Sequence, residues 1–295
     1  MIHHGDIRIG VSGWRYAGWR GVFYPPKLAQ RRELEFASRA FRTLEINGTH
    51  YSLQRPDSFA AWADATPDDF VFTVKASRYL THMLRLKGIE EAAANFWAQG
   101  LLRLGPKLGP VLWQFPPSFR YDPARLETFF ASLPRDTEAA AALAARHDQR
   151  LEGRAWTTTD ARRRIRHVME IRHDSFRTPD FVARLRRHDV GLVVSDSVDW
   201  PCLMDVTSDL VYLRLHGSEE LYASGYDDAA LDRWAARVAA WATGAEPDDA
   251  VRLSPDPPPA ARSRDVFVFF DNDRKVRAPF DAQALEARLQ ARFTG

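Results

Sequence analysis

Cysteine is nearly absent: Cys202 is the single one in 295 residues, which excludes an internal disulfide and any zinc site built on several thiolates. A reducing, cytoplasmic setting is the expectation. No uninterrupted apolar run approaches the roughly 18 residues of a membrane-spanning helix, and residues 1–6 carry neither a basic stretch nor a long apolar one. The chain is therefore expected to be neither secreted nor membrane-bound. Charge of one sign is lacking too. With 41 Lys and Arg against 39 Asp and Glu, the formal net charge of +2 gives no global reason to favour nucleic acid or a lipid surface. Two fingerprints are also missing. Val11-Ser12-Gly13-Trp14-Arg15-Tyr16 stands where a dinucleotide fold would carry Gly-x-Gly-x-x-Gly, and no His-Glu-x-x-His pair occurs.

What the sequence does have is a repeated pattern. Eight short apolar runs end in polar or ionisable residues: Ile7 to Trp14, Thr43 to Tyr51, Phe70 to Arg78, Val111 to Pro116, His167 to His173, Gly191 to Asp196, Leu210 to Gly217 and Val266 to Asn272. Strands covered on both faces should be apolar throughout, so charge placed repeatedly at their C-terminal ends points to one shared pocket. Between the runs lie segments of helical spacing. Pro56-Asp57-Ser58, Asp122-Pro123 and Thr178-Pro179-Asp180 read as helix starts, and Leu231, Trp234, Ala235, Val238 and Trp241 form one helical face. Trp62, Trp234 and Trp241 are assigned to the core. Eight strands alternating with helices predict an α/β fold, a single (β/α)8 TIM-type barrel over residues 1–295. A doubly wound open sheet is the runner-up. Residues 134–164, rich in Ala and Arg, and 244–264, rich in Pro, are read as peripheral insertions on the N-terminal face.

Side chains alternate along a strand. Glu45, Asn47 and Thr49 therefore share one face, as do Val71, Thr73 and Lys75, then Glu170 and Arg172, then Tyr212, Arg214 and His216. Gln114, Asp196 and either Asp271 or Asn272 come from the remaining strand ends, with Asn272 placed among the substrate-binding residues. Burying five charges (Glu45, Lys75, Glu170, Arg172, Arg214) costs several kcal/mol per ion before compensation. That cost fits a site for a charged ligand better than an ion network that only caps the barrel. Lys75, Arg172 and Arg214 would meet a phosphate, carboxylate or developing anion. Glu45, Glu170 and His216 are the catalytic candidates, His216 because an ordinary imidazole titrates near neutrality. Trp14, Asn47, His82, Gln114 and Asp196 complete the substrate-binding set, and His82 is the second candidate for proton transfer. Aromatic residues Trp14, Tyr16, Trp19, Phe23, Tyr24, Tyr51, Trp200, Tyr222 and Tyr226 ring the same ends, where they could stack on a sugar or base or pack the loops.

His50, His82, His216, Glu45, Glu170, Asp196 and Asp271 include enough ligand types for zinc or manganese, but no closely spaced pair occurs and Lys75 with two arginines would repel a cation. No metal ligand is assigned. No organic-cofactor motif is found, and the cofactor is left open.

The motifs resemble the YecE-like family, catalogued as a domain of unknown function. The matching residues are Ile9 to Trp14 with Tyr16, Trp19 and Phe23 to Pro25; Glu45 to Asn47 with Thr49 and Tyr51; Lys75 with Thr81-His82; Gln114 to Pro117; Glu170 to Arg172; Tyr212 with Arg214 to Gly217; and Phe270 to Asp273. The resemblance implies a TIM-type barrel and carries no settled activity. Two departures stand out. His50 occupies a position where the family pattern usually has Phe, which takes it out of the expected site, and Ala76 replaces a usual Gly. The functional expectation is an enzyme acting on a small anionic substrate, phosphate-bearing or nucleotide-like, with phosphate-ester hydrolysis its narrowest form. Removing charge at Lys75 or Arg214 is expected to abolish binding and leave the fold intact. The competing class is a non-catalytic nucleic-acid binder.

Overall fold

The structure, a computed structural model, describes residues 3–217, 221 and 224–294. Eight parallel strands close on themselves in sequence order: β1 Ile7–Ser12, β2 Thr43–Ile46, β3 Val71–Lys75, β4 Leu108–Gln114, β5 His167–Glu170, β6 Val190–Asp196, β7 Leu210–Leu215 and β8 Asp265–Phe270. The seam is β8 against β1, in register from Ile7 with Val266 to Val11 with Phe270. Closure leaves no strand edge, so every ladder hydrogen bond of these apolar segments is made within the barrel. The fold is the predicted (β/α)8 barrel.

Parity decides which side chains fill it. Leu112, Val168, Val193, Leu210, Tyr212, Phe267 and Phe269 pack together inside the barrel, while residues of opposite parity such as Val211, Leu213, Val266 and Val268 join the larger core beneath the helices. One position inside admits no side chain. A Cβ on Gly10 would lie 1.9 Å from the Thr43 carbonyl oxygen, so β1 and β2 approach as closely as they do only because residue 10 is glycine.

The outer layer is α1 Glu33–Ala40, α2 Gly48–Tyr51, α3 Pro56–Asp64, α4 Glu90–Ala98, α5 Pro123–Ser132, α6 Thr137–Ala144, α7 Pro179–Arg187, α8 Asp228–Ala242 and α9 Ala278–Thr294. Proline opens α3, α5 and α7, where its missing N–H is no loss. Asp122 and Thr178 cap the latter two by accepting from Arg125 N (3.0 Å) and Phe181 N (3.2 Å). Helix α8 buries the predicted stripe, Trp234 and Trp241 included, but Trp62 on α3 is only half-buried. Residues 134–164 contain α6, close on themselves through pairing of Asp136 with Arg164, and are tied to the body by Arg164, which meets Asp189 and Asp209 at 2.5 Å each. Residues 244–264 lie without helix or strand, held by Asp205, which accepts from Leu253 N and Ser254 N at 2.9 Å each. Among the described residues no helix is long and apolar enough to cross a membrane.

Several strands are shorter than the apolar runs suggested. The second stops at Ile46, and Gly48–Tyr51 turns into α2, so Asn47 and Thr49 are not strand residues. Thr49 instead donates to the Ile46 and Lys75 carbonyls (3.1 and 2.7 Å), which ties this turn to the end of β3.

Candidate active site

The strand ends converge on Arg214, which is fully buried on β7. Its Nε donates to Glu45 Oε2 (3.2 Å), Nη1 to Glu170 Oε2 (2.7 Å), and Nη2 to Glu45 Oε1 (3.0 Å), Asp271 Oδ2 (2.9 Å) and Ser12 Oγ (3.3 Å). Burial alone would lower the guanidinium pKa, yet Glu45, Glu170 and Asp271 together raise it well above its usual value. Glu45 is held from below by the Tyr212 hydroxyl (2.8 Å), which also meets Thr73 Oγ1 at 3.0 Å. Glu170 is shared with Arg172, whose Nε and Nη2 both reach its Oε1 at 2.7 Å. Burial pushes the Glu170 carboxyl up, but Arg172 and Arg214 outweigh it and hold it well below the carboxylate range. The same contest at Asp271, burial against Arg214 and His216, ends at about 2.

Above this network opens a cavity of about 490 Å³. Lys75, Arg172, Arg214 and Asp271 line it with charge, and Tyr16, Asn47, His50, Tyr51, His82 and Gln114 without. The Lys75 ammonium is singular. It is 8% exposed, and among the described residues it makes no hydrogen bond or ion pair. Burial and then Arg214 lower its pKa to about 8, against the pull of Glu45 and Glu170. Both histidines in the wall are neutral near pH 7. His50 is brought to about 3 by burial and Lys75, and its Nδ1 donates to the Ala76 carbonyl at 2.8 Å. His82 is brought to about 4 by burial, Lys75 and Arg172, and lies with its ring 5.1 Å from that of His50.

A second cavity of about 320 Å³ adjoins the mouth and shares Tyr16, Asn47 and Tyr51 as walls; Trp14, Ile46, Gln54 and Trp62 contribute the rest of its side-chain lining, with Arg15 at its edge. Trp14 and Trp62 meet edge to face at 5.6 Å there.

The structure thus brings Glu45, Lys75, Glu170, Arg172 and Arg214 together, with Asn47, His82 and Gln114 around them, and places five other residues differently from expectation. Asn272 faces away from the mouth: its Nδ2 donates to Asp281 Oδ2 (2.7 Å) on α9 and to the Ser224 carbonyl (3.0 Å), and Asp271 takes the inward place. The parity of Phe267 and Phe269, both inside the barrel, was the signal for this. His216 is fully buried behind Asp271 and outside the cavity lining, with Nδ1 3.2 Å from Asp271 Oδ2 and its ring 5.3 Å from Trp200; burial lowers its pKa more than Asp271 raises it. Asp196 accepts from the Tyr226 hydroxyl (2.9 Å) and does not line the cavity, and Trp14 lines the adjoining one. His50, set aside on family grounds, is in the wall. Of the rim aromatics, Trp19, Phe23 and Tyr24 are packed in the core, Trp200 lies under the Arg172 guanidinium at 4.0 Å, and Tyr222 lies outside the described residues.

Metal ligation meets a physical obstacle: Arg214 stands at the centre where Glu45, Glu170 and Asp271 would otherwise share a cation. Among the described residues no group of three or more His, Cys, Asp or Glu is placed to hold one.

Fold and site together define a class, closed (β/α)8 barrels with an ionised mouth at the C-terminal ends of the strands. Within it, the chain belongs to the family described as "Protein of unknown function DUF72", which matches residues 8–295. It is similar to the UPF0759 protein YunF of Bacillus subtilis, 32% identical over 118 residues that make 38% of this chain and 41% of that protein. It is likewise similar to the UPF0759 protein YecE of Escherichia coli K12, 30% identical over 130 residues, 43% and 44% of the two chains. These matches cover less than half of either relative. Among solved structures, a DUF72 family protein of Thermotoga maritima superposes with a TM-score of 0.71 and 25% identity over 97% of this chain and 99% of that one. One from Enterococcus faecalis gives 0.67 and 17% over 96% and 95%, a likeness of fold.

Proposed function

We propose that the mouth binds a small molecule through an anionic group held by Lys75 and Arg172, and that the protein is an enzyme acting on that molecule in a cytoplasmic setting. One observation carries this reading. Among the described residues, Arg214 is matched to three carboxylates and Arg172 to Glu170, while Lys75 keeps a buried, mostly protonated ammonium with nothing against it. An unpaired buried cation costs stability, and an incoming anion removes that cost. A phosphate offers three oxygens, enough to meet the ammonium and the outer edge of a guanidinium at once.

Phosphate-ester hydrolysis is the narrower form. Asp271, the mouth carboxylate whose side chain keeps 18% exposure, would orient the attacking water, held in place by Arg214 and His216. Its low pKa makes it a weak base, so the larger part of catalysis would come from charge stabilisation by Lys75 and Arg172. Arg214 serves as the hub that keeps these groups aimed.

The test uses inorganic phosphate for binding and 4-nitrophenyl phosphate for turnover. Lys75→Met and Arg172→Gln should each weaken phosphate binding at least tenfold and lower turnover by about a hundredfold, in the range of losing one charge-stabilising donor. Phosphate binding that is unchanged in both folded variants rejects the reading.

A further inference from the structure

We infer that the adjoining chamber is a subsite for a flat heteroaromatic ring, which makes the ligand of the mouth a nucleoside phosphate. The inference rests on the anionic-ligand reading above and names the class of molecule that carries the anion.

Three observations support it. The chamber and the mouth have common walls, Tyr16, Asn47 and Tyr51, so one molecule can place a charged end against Lys75 and a second group beside Trp14 and Trp62. The two spaces differ in character. Ionised groups dominate the mouth, whereas the chamber is bounded by aromatic rings and Ile46, with Arg15 as its one formal charge. A ligand complementary to both is a phosphate joined to an apolar-faced ring, and a bare phosphate or a short acyclic ester would leave the chamber unfilled. The Tyr51 ring is 70% exposed, unusual for an aromatic side chain at the edge of such a cluster, and it offers a face on which a base can stack.

Polar groups at the boundary add selectivity. Asn47 Oδ1 is buried and has no hydrogen-bond partner among the described residues. A buried acceptor without a donor costs free energy, which a ring N–H or exocyclic amine would recover. Gln54 is fixed nearby: its Nε2 donates to the carbonyls of Gly48 and Ser52 at 3.2 and 3.0 Å, so its amide is oriented before any ligand arrives. A ring bearing N–H donors on its edge therefore finds a prepared acceptor as well as aromatic faces, whereas a plain sugar ring, which can also lie on those faces, has no planar π-system to stack on them.

The experiment compares binding of the four nucleoside 5′-monophosphates, ribose 5-phosphate and inorganic phosphate to the full chain by calorimetry. At least one nucleotide should bind about tenfold or more tightly than ribose 5-phosphate. Trp62→Leu, which lies in the chamber and outside the mouth, should remove most of that advantage and change ribose 5-phosphate affinity less than twofold. Should Trp62→Leu not fold, Tyr51→Ala, at an exposed position, should also erase the advantage. Equal affinity for ribose 5-phosphate and every nucleotide overturns the ring subsite and leaves the anion reading standing. Absence of binding by every phosphate compound overturns both.

Discussion

The ammonium of Lys75 is brought to about 8 from an ordinary 10.5 by burial and by Arg214, so its protonated form is disfavoured in the folded chain. The sign of the consequence follows from proton linkage. Between these two pH values the unfolded chain binds more protons at this group than the folded one, so stability should rise with pH across that window, and below about pH 8 the full penalty applies. The difference corresponds to about 3 kcal/mol. Lys75→Met should therefore melt at a higher temperature than the wild type at pH 7, with the gap closing as the pH approaches 10.5. Calorimetric melting of both proteins from pH 7 to 10 checks this; a variant that melts lower at pH 7 would mean that the ammonium has a partner. A residue whose removal stabilises the fold is held there by function.

Among the elements, β1 depends most on a single atom count. Gly10 faces the barrel interior against the Thr43 carbonyl, and the added methyl of Gly10→Ala can be accommodated only by separating β1 from β2. We expect destabilisation on the order of 3 kcal/mol, at the upper end of what overpacking costs, read as a lower denaturant midpoint; an unchanged midpoint would contradict the close approach. At this scale much was legible in the sequence. The eight apolar runs became eight strands, and the proline starts became α3, α5 and α7, because burial on two faces and first-turn chemistry leave local marks. What failed were the strand ends. Asn47 and Thr49 continue an alternating pattern, yet Gly48–Tyr51 is helical because Thr49 satisfies backbone carbonyls that a longer β2 would have used. The same limit separates Asp271 from Asn272: which of two adjacent polar residues turns inward depends on the parity of the whole strand, and the Asp281 partner of Asn272 is nine residues away on a helix whose docking the sequence does not announce. The surroundings of His216 escaped the sequence for a related reason. Its intrinsic pKa is visible in the sequence, but its burial is not.

Across the whole molecule, Arg214 is the residue that joins the barrel's circumference. From β7 it reaches Ser12 on β1, Glu45 on β2, Glu170 on β5 and Asp271 after β8. Arg214→Met would leave three inward carboxylates without their common counter-charge, which should cost about 3–5 kcal/mol, as for other broken buried pairs. This revises the expectation that charge removal at Arg214 would leave the fold intact. The pH dependence carries the same signature. Glu170 and Asp271 are both depressed in the folded chain, so the stability they contribute is present above their ordinary values of 4.5 and 3.8 and is lost as the pH falls below them. The acid-unfolding midpoint of Arg214→Met should therefore move to higher pH than that of the wild type, as followed by circular dichroism. Coincident midpoints would show that the hub does not hold the barrel together.

The measurement closest to the central claim is the titration of Lys75 itself, followed by NMR of the side-chain amine with and without saturating inorganic phosphate. An apparent pKa near 8 in the free protein should move upward when phosphate binds, since an anion against the ammonium favours its charged form. A pKa that starts near 10.5, or one that phosphate at saturation does not move, would contradict it.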